Sequence, residues 1–326
     1  MILQKIFVPD DAAALSVGAN EVALAIKAEV NARGLDTMVV RTGSRGLFWL
    51  EPLVEFETTK GRRGYGPVKV EDVPSLFNID KVHPLHLGLV EDIPYLKTQQ
   101  RLTFARCGLI NPLSLEEYEA NGGLKGLRRA LSMASSDIVE EVIQSGLRGR
   151  GGAGFPTGIK WRTVGATEAD QKYIACNADE GDSGTFADRM LMEGDPFLLI
   201  EGMIIAGLAV GSNKGFIYLR SEYPHAFSKM VRAVEVAKAG NLLGADVLGS
   251  GVEFTIEIRL GAGAYICGEE TSMLESLEGK RGQIRPKPPL PAVQGLFDCP
   301  TVINNVLSFA GVPTILAEGA TFYRDF

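Results

Sequence analysis

Apolar positions along the chain recur with two different periods, and the places where the period changes divide it into short elements. Lys5 to Val8 is a brief apolar run that predicts a strand. Asn20 to Ala32 carries apolar residues at helical spacing and stops before Gly34, and Met38 to Thr42 predicts a second strand. A strand, helix, strand opening predicts a small α/β unit. Leu50 to Thr58 and Tyr65 to Val68 read as a hairpin, followed by a short helix from Val70 to Phe77. Phe48, Trp49 and Phe56 are read as half-buried strand residues, with an interaction face as the alternative. From His83 to Glu119, Pro84, Pro94, Gly108 and Pro112 punctuate a connector that ends at a helix start, Ser114.

A second, larger domain is expected over residues 121–326, after a first of residues 1–120. Asp137 to Gly146 predicts a helix with Asp137 as its cap, and Lys172 to Ala178 a buried strand running into Asp179-Glu180-Gly181-Asp182. Asp195 and Pro196 read as the cap and first-turn proline of a helix. The apolar run from Phe197 to Gly211 is interrupted by Glu201 and is short for a bilayer, so a buried helix is predicted. Strand Gly215 to Arg220, helix Tyr223 to Lys238 and strand Glu253 to Leu260 continue the alternation, which predicts a partly parallel sheet. A glycine-rich turn at Gly261 to Thr271, a proline-rich arm at Arg281 to Pro291 and a last helix opening at Thr301 to Val306 complete the pattern.

Composition narrows the classes. The chain has 326 residues, 45% hydrophobic and 22% charged, with a formal net charge of -7, the balance of a water-soluble globular protein and not of a nucleic-acid binder. No secretory signal or membrane insertion is expected. Cys107, Cys176, Cys267 and Cys299 lack C-x-x-C spacing, which predicts a reducing, cytoplasmic setting, buried thiols and no metal site. His83, His86 and His225 do not cluster with other ligand types, so none is assigned to a metal.

The candidate chemistry centres on Ser145 to Trp161, where six glycines stand beside Arg148, Arg150 and Lys160. Such a loop lets bare backbone approach a ligand and turns several N–H groups toward one point, while the cations neutralise phosphate. The G-x-G-x-x-G at Gly149, Gly151 and Gly154 follows a predicted helix, whereas a Rossmann site needs a strand there, so an ordinary Rossmann reading is excluded. A P-loop is excluded as well, since Gly-Ile-Lys-Trp stands where G-K-[ST] is required. No hydrolytic nucleophile and base are evident in the sequence. Two glycine loops, two lysines, carboxylates after a strand and paired asparagines leave nucleotide redox chemistry. The adjacent acids Glu269 and Glu270 have a second reading, as first-turn carboxylates answering a helix dipole.

Taken together, Ser145 to Trp161, Asn177 to Glu180, Gly261 to Glu270, Lys287-Pro288-Pro289 and Thr301 to Val306 resemble the flavin-bearing, NADH-oxidising subunit of respiratory complex I and its relatives in NAD-linked hydrogenases and formate dehydrogenases. The resemblance covers about Asn121 to Phe326. The thioredoxin-like front end, which lacks cluster cysteines, is similar to the beta subunit of soluble, molybdenum-dependent NAD formate dehydrogenase. The implied fold is a thioredoxin-like domain followed by an α/β FMN- and NAD-binding domain of the complex I flavoprotein type. The resemblance implies FMN on Gly149, Arg150, Gly151, Lys160, Asn177, Asp179, Glu180, Tyr265, Gly268, Glu269, Asn304 and Asn305. It implies NAD(H) contacts from Gly152, Phe155, Asp182, Glu270 and Lys287, no catalytic acid or base, and no metal ligands.

Two positions depart from the respiratory pattern: Asp182 stands for Glu and Leu290 for an aromatic residue, and the formate dehydrogenase branch accepts both. The implied partners are a [2Fe-2S] thioredoxin-like gamma subunit and a molybdenum-containing alpha subunit. The family continues into a ubiquitin-like domain and a [4Fe-4S] domain, so that cluster is expected only if the native chain extends beyond Phe326. The alternatives are the equivalent subunit of complex I or of a hydrogenase, and a non-catalytic assembly scaffold.

Overall fold

A computed structural model describes residues 5–78 and 83–326. The chain forms two compact units, Met1–Pro112 and Leu113–Phe326.

The first unit runs β1 (Lys5–Pro9), α1 (Ala12–Ser16), α2 (Ala19–Ala32), β2 (Met38–Thr42), β3 (Val54–Thr58), β4 (Gly61–Tyr65), α3 (Val73–Leu76), β5 (His86–Leu89) and α4 (Pro94–Lys97). Its sheet has the order β2-β1-β3-β4-β5, with β1 parallel to β2 and the other pairs antiparallel. Ile6 and Val8 of β1 pack with Val22 and Ile26 of α2, and Val54 and Phe56 of β3 join them. A hairpin forms as expected, but its second strand is β4, Gly61–Tyr65, and not Tyr65 to Val68, where Pro67 has no N–H for a ladder. Phe56 is 3% exposed, whereas Phe48 and Trp49 lie on a 3-10 turn and not on a strand, with 45% and 59% of their surfaces open. Charge is buried here too: Arg45 forms a two-point ion pair with Glu55 at 2.9 Å, and Arg62 reaches the same carboxylate at 3.3 Å.

The second unit runs α5 (Leu115–Ala120), α6 (Lys125–Ala130), α7 (Ser135–Gln144), α8 (Thr157–Ala166), β6 (Tyr173–Ala178), α9 (Ala187–Gly194), α10 (Pro196–Val210), β7 (Lys214–Leu219), α11 (Pro224–Ala239), β8 (Thr255–Leu260), α12 (Glu270–Leu277), β9 (Thr301–Asn305), α13 (Val306–Glu318) and α14 (Ala320–Asp325). The four strands are all parallel, in the order β8-β7-β6-β9. On one face Ala175, Phe216, Tyr218 and Ile303 pack against Met273 and Leu274 of α12. Alternation along the strands turns Ile174, Cys176, Ile217 and Val302 the other way, and all four are buried.

Helix α10 is apolar on every side, and nearly all of it is buried, as expected for a helix inside the core. No described helix is long and apolar enough to cross a membrane. Its one acid, Glu201, is buried and accepts from Tyr118 Oη (2.5 Å), Leu124 N (2.8 Å) and Leu127 N (2.9 Å), which fastens α10 to the α5–α6 turn. A Cβ at Gly202 would stand 2.1 Å from the Phe309 carbonyl, so the close approach of α10 and α13 requires glycine there.

Two expectations are corrected. Thr301 to Val306 does not open a helix: Thr301–Asn305 is strand β9, paired with β6, and the helix begins at Val306. A short run rich in β-branched side chains is locally compatible with either state, and pairing with β6 decides it. The helix over the predicted 137–146 starts at Ser135 with Ala134 at the cap position, so Asp137 lies inside the first turn. At α10, Asp195 does occupy the cap position and Pro196 the first turn, though the Asp195 side chain makes no cap bond.

Candidate functional site

The sheet order places the return strand β9 on the opposite side of β6 from β7 and β8. Ligands of parallel α/β sheets bind in the crevice beyond the carboxyl ends of the strands, and in this sheet those ends of β6 and β9 lie side by side. Those ends hold Asn177 and Asn305, which are register partners. The glycine loop, the acidic loop after β6 and the second glycine turn all meet there.

The glycine loop is a small hairpin, closed by a bridge between Arg148 and Pro156 and by an Arg148 Nε bond to the Gly154 carbonyl at 2.7 Å. Arg150 N donates to Ser308 Oγ at 2.9 Å, which ties the loop to the start of α13. A Cβ at Gly151 would lie 3.1 Å from Asn305 Cβ, so the loop rests directly on the end of β9. Among the described residues, the N–H groups of Gly151, Gly152, Ala153 and Gly154 donate to no protein acceptor. These four adjacent amides beside Arg150 are open to an anion. Phe155, at the loop's far side, is 52% exposed.

Lys160 projects from α8 and donates to the Ile303 carbonyl of β9 at 2.6 Å, with Glu270 3.8 Å away. Burial lowers its pKa, partly offset by Glu270. Lys287 donates to Glu269 (3.1 Å) and Glu270 (2.7 Å). Burial works against its charge, but these two acids outweigh burial and raise its pKa. Glu269 also accepts from Thr271 N (2.8 Å) and Ser272 N (2.9 Å) and so caps α12. The helix-cap reading of Glu269 and the site reading thus hold together.

Asn177 Nδ2 donates to the Gly268 carbonyl at 2.9 Å, joining the end of β6 to the second glycine turn. Asp179 lies against that turn: a Cβ at Gly268 or at Gly181 would come within 3.1 Å of its Oδ2. Burial pushes the Asp179 carboxyl up to about 6, against the pull of Arg220. Tyr265, 71% exposed, donates its hydroxyl to Asp182 at 2.8 Å. That bond raises the phenol's pKa.

Period two separates the paired asparagines. Asn304 faces the helical layer and accepts from Trp161 Nε1 at 2.9 Å. Asn305 caps α13 through Leu307 N at 2.9 Å and donates from Nδ2 to Asp188 at 2.6 Å. Glu180 adopts a positive φ of 37°, and its carboxylate accepts from Asp188 N (2.8 Å) and Arg189 N (3.2 Å), fixing the start of α9. Arg220, at the end of β7, donates to the Glu180 carbonyl.

The structure therefore gathers Gly149, Arg150, Gly151, Gly152, Lys160, Asn177, Asp179, Gly268, Asn304 and Asn305 around one crevice, through the contacts just described. Asp182, Tyr265, Glu269, Glu270 and Lys287 are linked to it in two bonded groups. Glu180 also holds the first amides of α9, and Asn304 also accepts from Trp161. Sequence reasoning missed Asp188, Arg220 and Ser308. Asp188 and Ser308 each sit one turn or less inside a helix that starts at the crevice, a signal readable only once the strand ends are known.

The donor set fits a flavin mononucleotide: free amides and cations for a phosphate, amides and carboxylates for hydroxyls, and glycines where a Cβ would intrude.

Comparison with known proteins agrees. The family model described as the Nuo51 FMN-binding domain matches residues 142–314. The HndC subunit of the NADP-reducing hydrogenase of Solidesulfovibrio fructosivorans is 48% identical over 227 residues, 70% of this chain and 46% of that protein. The F 2 subunit of the NADH-quinone oxidoreductase of Rhizobium meliloti (strain 1021) is 54% identical over 211 residues, 64% of this chain and 50% of that one. A crystal structure of an NAD+-reducing [NiFe]-hydrogenase in the air-oxidized state matches with a TM-score of 0.56 and 29% identity, over 98% of this chain and 53% of that one. The chain spans about half the length of the curated relatives it matches.

Proposed function

Because the chain belongs to the Nuo51 FMN-binding family, whose domain model matches more than half of it, we propose that it is the diaphorase module of a larger redox enzyme. In this reading it exchanges hydride between NAD(H) and FMN, and single electrons with iron–sulfur centres on partner chains. The observation that carries the reading is the meeting of both glycine loops with Asn177 and Asn305 at the carboxyl ends of β6 and β9.

Bound FMN supplies the ability to accept two electrons and release them singly. The chain's own work is holding and orienting. The free amides of Gly151 to Gly154 and the charge of Arg150 would hold the phosphate. Lys160, held by Ile303 O, presents its charge to the crevice between β9 and Glu270. Exposed Phe155 offers a flat apolar face for a second ring system, and Asp182 with Glu270 and Lys287 offers acceptors and a donor for ribose hydroxyls and phosphate. No side chain would have to move a proton, since the two cofactors would supply the hydride chemistry and the residues would only hold and orient them.

For the parent complex, our reading is the beta subunit of a cytoplasmic, NAD-dependent formate dehydrogenase, with a [2Fe-2S] gamma subunit and a molybdenum-containing alpha subunit. Asp182, Leu290 and a thioredoxin-like first unit support it. The named relatives favour complex I and hydrogenase assemblies as the second reading.

The test is direct. The chain reconstituted with FMN is expected to bleach its flavin absorbance on NADH addition and to reduce ferricyanide. A flavin-loaded chain inert to NADH would leave only a scaffold. Formate-dependent NAD+ reduction and molybdenum in the native complex would separate the two parents.

A further inference from the structure

Asp188 is a buried acid of the second unit to which the flavin reading gives no role. It lies in the first turn of α9 and is 3% exposed. Its placement is enforced from both sides. Glu180 takes the N–H groups of Asp188 and Arg189, clipping the helix start to the loop that leaves β6. Phe186, just before the helix, has a φ of 53°, and this left-handed turn brings α9 back under the loop. On the other side, Asn305 Nδ2 donates to Asp188 Oδ2 at 2.6 Å. Asn305 in turn uses its Oδ1 to cap α13 and its Cβ to support Gly151.

Resting on the reading that FMN occupies this crevice, we propose that Asp188 is a positioning residue. Its carboxyl fixes the Asn305 carboxamide and thereby couples the loop after β6 to the glycine loop across the flavin site. The geometry leaves Asn305 one orientation: its oxygen faces Leu307 N and its nitrogen faces Asp188, and a flip would set two donors together at Leu307 N.

The carboxyl acts in its neutral form around pH 7. Burial and the neighbouring Glu180 carboxylate push it up to about 8, and Asn305 only partly opposes them. A neutral acid keeps its carbonyl oxygen as an acceptor for Asn305 without adding an anion near a phosphate-binding loop. An asparagine at the same position would offer the same carbonyl acceptor.

The experiment measures FMN affinity of the full chain by quenching of flavin fluorescence, with the apo thermal midpoint as a folding control. Asp188→Ala is expected to weaken FMN binding roughly three- to tenfold, the effect of losing one net hydrogen bond. Asp188→Asn is expected to stay within about twofold of the parent chain. Asn305→Ala combined with Asp188→Ala should bind no more weakly than Asn305→Ala alone, because Asp188 acts through Asn305. If Asp188→Ala does not fold, Asp188→Ser takes its place in the same cycle.

Parent-like affinity in Asp188→Ala overturns the proposal, as does a double variant whose losses multiply. An Asp188→Asn chain as weak as Asp188→Ala also overturns it. Failure of the parent chain itself to bind FMN would instead remove the flavin reading, and this proposal with it.

Discussion

Asn177 and Asn305 stand opposite each other as register partners at the carboxyl ends of two neighbouring parallel strands. Each residue holds down a different loop: Asn177 donates its amide to the Gly268 carbonyl, and Asn305 supports Gly151 with its Cβ. The crevice is therefore assembled by strand ends, and loop conformation follows from them.

Gly151 is the closest point of that assembly. A side chain there would sit 3.1 Å from Asn305 Cβ before any ligand arrives. Gly151→Val is expected to lower FMN affinity at least about tenfold, equivalent to ~1.4 kcal/mol, while leaving the far-UV circular dichroism unchanged. Fluorescence titration checks it, and parent-like affinity would show that the loop does not bear on the ligand.

Lys160 carries a charge partly removed from water, with Glu270 3.8 Å away. Lys160→Ala should weaken FMN binding by about an order of magnitude at low salt and by less at high salt, since screening shrinks the phosphate term. Titrations at two ionic strengths give the comparison. An unchanged affinity at both would remove Lys160 from the cradle.

In the first unit, Glu51 is buried beside Asp11 and is pushed up to about 8, mainly by burial and then by that second acid. Ser44 Oγ and Leu53 N donate to it at 2.8 and 3.0 Å but do not offset the cost. The folded form thus binds a proton that the unfolded chain releases near the ordinary value of 4.5. Stability from this group is complete below pH 4.5 and falls as pH rises toward 8, by at most roughly 1.4 kcal/mol per pH unit. Denaturation followed through Trp49 in a Trp161→Phe background should show this decline, and Glu51→Gln should flatten it.

Glu201 supports α10 from inside. Glu201→Ala strands three donors, from Tyr118, Leu124 and Leu127, and should cost about 3 kcal/mol in urea unfolding. A loss below about 1 kcal/mol would mean that water replaces the carboxylate.

The glycine loop was legible in the chain because its chemistry is local: glycines, cations and the absence of a preceding strand can be read without neighbours. The buried helix at Phe197 to Gly211 was legible for the same reason, as an apolar run with a single acid. The support residues were not. Asp188 carries no signal of its own until its contact with Asn305, at the end of β9, is known. The bonds by which the Glu180 carboxylate also holds the α9 amides have no mark in the sequence.

By itself the sequence determined which backbone can come bare against a ligand, which segments must be buried, and the α/β alternation, since these follow from side-chain size, polarity and spacing along one segment. Only the tertiary structure decided that Thr301–Asn305 is a strand, that Asn304 and Asn305 face opposite layers, and that Asp188 meets Asn305 across 117 positions of chain. Those outcomes depend on hydrogen bonds to a partner strand and on desolvation by distant segments. Neither is present until the chain has closed on itself.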